Sequence, residues 1–586
     1  MASGAATLTG AAALAGFLAA CAFLPQAVCA QGMAAAGKRD LPPIPLPEGV
    51  TPPRAAFEDV AAESGLKAPA ADGPAREMTY LTETTGTGVA LFDIDNDGWL
   101  DIFLVGTGRG PADRAGEPHE LYRNLRNLRF EPVGETAGLT STGWGQGVCA
   151  GDVDGDGFTD LFVTHWGRDV LLRNLNGARF RDETAARGLS GSGTRWSTGC
   201  AFLDSDGDGD LDLFVAHYVE FDVQATPLPG DAPQCEWRGV PIPCGPRGLA
   251  PESMSLFENV GDGRYRDISG RAGVATAKRY YGLGVLAADF NGDGWTDVFV
   301  ACDSTANLFF RNEGDGTFEE AGLASGIAYD ENGGEQAGMG VAAGDYDGDG
   351  LPDVFQTNFA ADTNTLYRNE GSGFFRDRTV PSGLAAATHH VGWGAEFLDF
   401  DRDGWPDIFA VNGHVAPSVD GAGTGETFAQ PRMLFWNRGD GIFHYLSDQA
   451  GSGISDRRPS RGSAAGDLDN DGDLEIVVVN LGQRPSLLRN KIDAKGNWLS
   501  VRPVTRAGSD AVGARVRVAA GGRTQLAEVR SGGGYLSQSD FRRHFGIGEA
   551  RSATVSVQWR SGAPDTTREV AANEFVTIAE PAAASP

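Results

Sequence analysis

The chain has 586 residues, with 79 Asp and Glu against 48 Lys and Arg, a formal charge of −31 and 41% hydrophobic residues. That balance excludes a basic stripe for nucleic-acid phosphates. Past the first 30 residues no stretch is long and apolar enough to span a membrane.

At the N-terminus, ATLTGAAALAGFLAACAFL is an apolar run followed by the small-residue cleavage site Val28-Cys29-Ala30. Residues 1–30 therefore read as a signal peptide and the protein as extracytoplasmic, although no Lys or Arg precedes the apolar run. Leu18-Ala19-Ala20-Cys21 resembles a bacterial lipobox, and the alternative is a lipid anchor at Cys21. Residues 31–54 are rich in Ala and Pro and read as an extended tether. Residues 55–66, around Phe57 and Asp59, have the pattern of a short strand with no repeat of their own.

From Asp93 onward a nine-position loop, Asp-x-Asp-x-Asp-Gly-x-x-Asp, recurs seven times, and an apolar strand follows each copy. Positions 1, 3, 5 and 9 are Asp93, Asp95, Asp97 and Asp101 in the first loop and Asp152, Asp154, Asp156 and Asp160 in the second. The third has Asp204, Asp206, Asp208 and Asp212; the fourth has Asp289, Asn291, Asp293 and Asp297. The fifth has Asp345, Asp347, Asp349 and Asp353; the sixth has Asp399, Asp401, Asp403 and Asp407; the seventh has Asp467, Asp469, Asp471 and Glu475. Alternate carboxylates around a tight Gly turn set several oxygens about one hard cation, which is calcium chemistry. The main-chain carbonyl of Trp99 is the expected fifth ligand in the first loop. These are not EF-hands, because position 12 is Leu104, Val163, Val215, Val300, Gln356, Ala410 or Val478, never an acid. The ligand positions hold 27 acids, and without them the chain would carry 52 acids against 48 bases. Its acidity is concentrated in the loops, and up to seven calcium ions are expected.

Each loop lies between two strands, and a hairpin such as LYRNLRNLRFEP or LLRNLNGARFRD follows. Four strands per unit of about fifty residues describe a radial array, a seven-bladed β-propeller in an all-β chain. The seventh unit ends at Leu487-Leu488-Arg489-Asn490 without a fourth strand. The segment around Phe57 supplies it, which closes the ring over residues 55–495 and removes an open sheet edge. Cys235 and Cys244 lie nine residues apart in an insertion of the third unit and suit a local disulfide. Cys149, Cys200 and Cys302 read as buried small hydrophobes, and after cleavage the odd count leaves a free thiol. Residues 496–580 abandon the repeat and read as a separate small β domain.

The seven loops resemble FG-GAP repeats, which build integrin α-chain propellers. The C-terminal segment resembles the ASPIC/UnbV domain through GARVRV, GYLSQSD and HFGIG, with Trp559-Arg560-Ser561-Gly562 where the family usually has Trp-Pro-Ser-Gly. Together they resemble the cartilage acidic protein family and its bacterial relatives. The resemblance implies a secreted calcium-binding protein with interaction roles and no catalytic residues to carry over.

At the far end of the strand after each loop, roughly 17 Å from it, stand Gly106, His165, His217, Cys302, Asn358, Asn412 and Asn480. One reading gives His165, His217, Asn358, Asn412 and Asn480 a polar ligand cup, with the loop from Tyr218 to Pro251 as one wall. The other has them satisfying loop backbone groups. No Ser nucleophile elbow, HExxH or phosphate loop occurs, and Arg438-Gly439-Asp440 falls at a hairpin turn. The expected role is a non-catalytic scaffold for an extracellular protein or glycan. The alternatives are an enzyme on extracellular polysaccharide, or an assembly factor for an exported partner.

Overall fold

Each carboxylate loop is preceded by a run of small and apolar residues and followed by a β-branched and aromatic one, and the two pair as antiparallel strands. The computed structural model describes Met1 and residues 40–582 apart from 68–76, 109–115, 141, 192–193, 276–277 and 493–495. Apart from Met1, the expected signal peptide over residues 1–30, with Cys21, lies outside the described residues. In the first unit Val89–Phe92 pairs with Asp101–Leu104, that strand with Glu120–Asn124, and that with Phe130–Pro132. The same order recurs from the innermost strands Thr142–Gly151, Arg195–Leu203, Gly282–Ala288, Gln336–Gly344 and Gly392–Leu398. The seventh unit takes Ser460–Gly466, Glu475–Asn480 and Ser486–Asn490, and its fourth strand is Phe57–Asp59, with Phe57 opposite Asn490. Innermost strands touch in succession, and the seventh meets the first, so seven units form a closed ring.

Close approach at the axis demands glycine. A Cβ on Gly340 would lie 1.9 Å from the carbonyl oxygen of Trp393 in the next innermost strand. At the rim, the backbone N–H of Tyr265 donates to the Arg187 carbonyl at 2.7 Å. Gly188 beside it has φ +84°, and its Cβ would lie 2.4 Å from the Tyr265 oxygen, so this glycine makes a turn between units.

A ring of asparagines fixes how the units sit together. Asn124, Asn174, Asn259, Asn312, Asn369, Asn437 and Asn490 end the third strands. Their Nδ2 groups donate to the carbonyls of Leu468, Ile94, Val153, Ser205, Phe290, Tyr346 and Phe400, each at loop position 2 of the neighbouring unit, at 2.8 to 3.0 Å.

Residues 496–582 form two small sheets. Asn497–Val504 lies between Arg543–Gly548 and Glu574–Ala579, and the second sheet runs Arg523–Glu528, Arg515–Ala520, Ser552–Gln558 and Thr566–Ala571. Their buried Val516, Val518, Val555 and Val557 join one apolar cluster with Phe92 and Phe103 of the first unit, so this cap is packed on the ring. Between its strands the segment Ser531–Asp540 enters the central channel. It exchanges hydrogen bonds with Val89 and Leu91 of the first unit, Val148 of the second, Phe202 of the third and Val341 of the fifth. Ser539 reaches Glu396 of the sixth unit and Ala465 of the seventh. The plug thereby covers inner strand edges whose N–H groups would otherwise lack partners.

The opposite mouth is closed as well. The insertion between Val219 and Pro251, carrying the Cys235–Cys244 disulfide, crosses toward the sixth unit. Trp237 Nε1 donates to Glu426 Oε2 at 2.6 Å and the Trp237 ring meets Phe359 at 5.0 Å. The expected wall of a cup is a lid, and Tyr535 and Leu536 of the plug share its apolar cluster. Two other expectations change. Cys149 and Cys200, in adjacent innermost strands, form a second disulfide, because the ring brings equivalent inner positions together; Cys302 is free and buried. Residues 40–54 do not stand off as a tether: Leu41 donates to the Ala385 carbonyl at 3.1 Å and His444 meets the Ile44 carbonyl at 3.2 Å.

Replacing Asn369 with Ala strips an amide from the buried carbonyls of Phe290 and Pro352. The expected loss is about 1–3 kcal/mol, read as a lower denaturant midpoint at constant slope; an unchanged midpoint would remove the asparagine ring from the stabilising contacts.

Candidate metal centres

The local chain builds each loop before any cation is considered. In the first loop the position-1 carboxylate, Asp93, accepts from the N–H groups of Asp97 at 3.0 Å and Gly98 at 2.8 Å. Asn96 (φ 58°) and Gly98 (φ 88°) are both left-handed, and that curls the alternate acids inward. The position-9 acid is a hub. Asp101 Oδ2 accepts from Ile94 N at 3.0 Å, and Oδ1 accepts from Asn124 N at 2.8 Å. The same pair of bonds holds Asp160, Asp212, Asp297, Asp353 and Asp407. Position 9 is buried in every loop, whereas position 5 is exposed in every loop.

Carboxylate oxygens converge within 4.8 Å in the first, second, third, fifth and sixth loops, among others. Several have no donor although they are buried: Asp154 Oδ1, Asp204 Oδ2, Asp347 Oδ1, Asp469 Oδ1 and Glu475 Oε1. A buried carboxylate oxygen without a donor is costly, and a hard cation is a group that can supply what is missing. In the second and fifth loops the other oxygen of position 3 is held by a third-strand arginine. Arg173 binds Asp154, and Arg368 binds Asp347 at 2.5 Å and Asp349 at 2.6 Å. These guanidiniums engage Oδ2 and leave Oδ1 aimed inward.

Burial pushes Asp101 up to about 8, Asp212 to about 7 and Asp467 to about 7. Burial also drives Asp160, Asp353, Asp407 and Glu475 well above the ordinary carboxylate range. Without a cation such groups hold protons; a divalent ion replaces the protons with fixed charge.

The cap lies on this same face. Its residues 496–582 carry eleven arginines, no lysine and eight acids. Arg502 stands 3.9 Å from Asp93 and Arg560 stands 3.8 Å from Asp204. Arg542 donates to the Asp467 carbonyl at 2.8 Å. The Arg523 guanidinium lies 3.3 Å from the centroid of Trp405, a position-7 ring of the sixth loop. Neither the placement of these arginines against the loops nor the asparagine ring was read from the sequence, although the Asn repeats visibly in Arg123-Asn124, Arg173-Asn174 and Arg368-Asn369.

The five residues expected at a ligand cup are buried and engaged. His165 Nδ1 meets the Val163 carbonyl at 3.1 Å, and the two nitrogens of His217 meet Ser197 at 3.2 Å and Ser255 at 2.9 Å. Asn358 donates to Thr363 O at 2.7 Å, Asn412 to Pro431 O at 2.7 Å and Asn480 to Arg484 O at 2.8 Å. The asparagines hold loop carbonyls and the histidines are bonded to strand residues of their own units, so these five side chains are taken up inside the fold.

The FG-GAP-like repeat family matches residues 93–163, 152–215, 289–356 and 426–478, and the ASPIC and UnbV family matches residues 504–585. The chain carries FG-GAP-like repeats and an ASPIC and UnbV domain. It is 26% identical to cartilage acidic protein 1 of Mus musculus over 516 residues, covering 84% of this chain and 73% of the relative. The Homo sapiens protein is also 26% identical, over 528 residues, 84% of this chain and 71% of the relative. Among solved structures, YCF48 bound to D1 peptide aligns over 72% of this chain and 99% of its own, at 8% identity and a TM-score of 0.38. An Agrocybe aegerita lectin that recognises non-reducing terminal N-acetylglucosamine aligns over 68% of this chain and 86% of its own, at 16% identity and a TM-score of 0.36.

The raised carboxylates set the sign of a pH effect. A folded-state value above the unfolded 3.8 means that the folded chain keeps a proton the unfolded chain releases. Metal-free FG-GAP protein is therefore expected to lose thermal stability as pH rises from about 5 to about 8. Added calcium should remove the decline; a chelated protein whose melting temperature rises over that window would contradict it.

Proposed function

We propose that this FG-GAP protein is an extracytoplasmic, calcium-binding scaffold without catalytic activity that engages a protein or glycan partner. The observation that carries the calcium reading is the set of buried, donorless carboxylate oxygens at Asp154, Asp204, Asp347, Asp469 and Glu475. Calcium supplies a compact divalent charge with flexible oxygen coordination, and the loop acids would hold it against the ring. The Cys149–Cys200 and Cys235–Cys244 bonds support an oxidising compartment. Among the described residues no helix is long and apolar enough to cross a membrane. The scaffold reading, as against an enzyme working in the channel, is supported by the plug from the cap and the lid from the third unit. A partner then meets the outer rim or the outward side of the cap.

Calorimetric titration of chelated mature protein with calcium tests the first half. Each site held at a hundred times its dissociation constant adds about 2.7 kcal/mol, so several sites should raise the melting temperature steeply; no heat and no shift would refute it. A glycan array and an envelope pull-down, run beside turnover assays on the same polymers, test the second half. Calcium-dependent retention without product is the expected result, and new reducing or unsaturated ends would refute it.

A further inference from the structure

The seven loops are not equivalent, and the fourth departs from the others in three linked ways. Its position 3 is Asn291 instead of an acid. The Asn291 Nδ2 donates to Asp293 Oδ2 at 2.8 Å, and its Oδ1 accepts from Asp293 N at 2.8 Å, so the amide closes on its own loop. The third-strand arginine of this unit, Arg311, turns away from the loop to Glu313 and Glu319. In place of both, a cap residue enters. Arg515, the first residue of Arg515–Ala520, places Nη2 2.7 Å from Asp289 Oδ2 and 3.0 Å from the Asp289 carbonyl. Glu528 on the paired cap strand stands 3.8 Å from Arg515 and accepts from Asp289 N at 3.4 Å.

Every carboxylate oxygen of the fourth loop consequently has a donor from the protein. Asp289 accepts from Gly292 N at 2.7 Å and Gly294 N at 2.7 Å, and Asp293 Oδ1 from Trp295 N at 2.8 Å. Asp297 accepts from Asn312 N at 2.9 Å and Phe290 N at 3.2 Å. The second, third, fifth and seventh loops each keep at least one buried oxygen with none. The first and sixth keep no such oxygen, but both retain acids at all four positions and carboxylates that converge within 4.8 Å. In the first and third loops the corresponding cap arginines stand off at 3.9 and 3.8 Å. A guanidinium in direct, charge-assisted contact with a carboxylate supplies the positive charge that a cation would bring and occupies its approach.

We propose that the fourth loop is a metal-free position in which Arg515 replaces the cation, so that the ring holds six calcium ions and the fourth loop serves as a fixed docking point for the cap. The proposal rests on the calcium reading above and refines it from seven sites. Anomalous scattering from calcium-saturated crystals of the whole mature protein tests it. Six peaks are expected, none of them between Asp289 and Asp297, and the double variant Arg515→Gln/Asn291→Asp should gain one there. Native mass spectrometry should count the same single added ion in solution. A peak in the fourth loop of the unmodified protein overturns the proposal and leaves calcium binding intact. A folded double variant that gains no ion overturns the role assigned to Arg515. The absence of a peak in every loop overturns the proposal together with the calcium reading itself.

Discussion

A carboxylate removed from water must be neutralised, protonated or fully hydrogen-bonded, and this protein places one such group at the ninth position of every repeat. Asp101, Asp160, Asp212, Asp297, Asp353, Asp407 and Glu475 are all buried. Six of them tie their own loop to the third strand through the backbone of the asparagine that reaches the next unit. The charge that favours a cation and the hydrogen bonds that join the units thus meet at one side chain. Loop geometry and ring closure are coupled for that reason.

The cap belongs to the same system. Arg502, Arg515, Arg523, Arg542 and Arg560 face the acidic side of the ring. The plug serves inner strand edges of the first, second, third, fifth and seventh units and the Glu396 side chain of the sixth. With Tyr535 set edge-on to Trp393 at 4.9 Å and the lid packed from the other side, the channel is a continuous core. The ring of repeats and the ASPIC and UnbV domain are therefore interdependent in packing.

The departures from the repeat are as informative as the repeat. In the sixth unit Trp436 replaces the third-strand arginine and donates from Nε1 to Asp401 at 3.0 Å. In the third unit Glu258 stands at that position and pairs outward with Arg266 and Arg271. In the fourth, the missing acid is answered from the cap by Arg515. Each exchange gives the loop a different neighbour, so loops identical by spacing differ in environment.

What the sequence determined by itself was everything that repeats at short range. The carboxylate spacing, the Gly turns, the strand before and after each loop and the unpaired strand around Phe57 are local signals, and a ring follows from repeating them. What only the tertiary structure decided was what fills the middle and who faces whom. Ser531–Asp540 reads as a polar Gly-rich turn until the inner edges it covers are in view. His165 and His217 stay open between a ligand cup and a structural role until Val163, Ser197 and Ser255 are beside them. Cys149 and Cys200, separated by 51 residues, become neighbours because equivalent positions of successive units converge at the axis. The plug and the disulfide share one physical reason: pairing at the centre of a ring depends on contacts across units and across domains, and those contacts leave no mark in local periodicity, whereas the two histidines are answered within their own units.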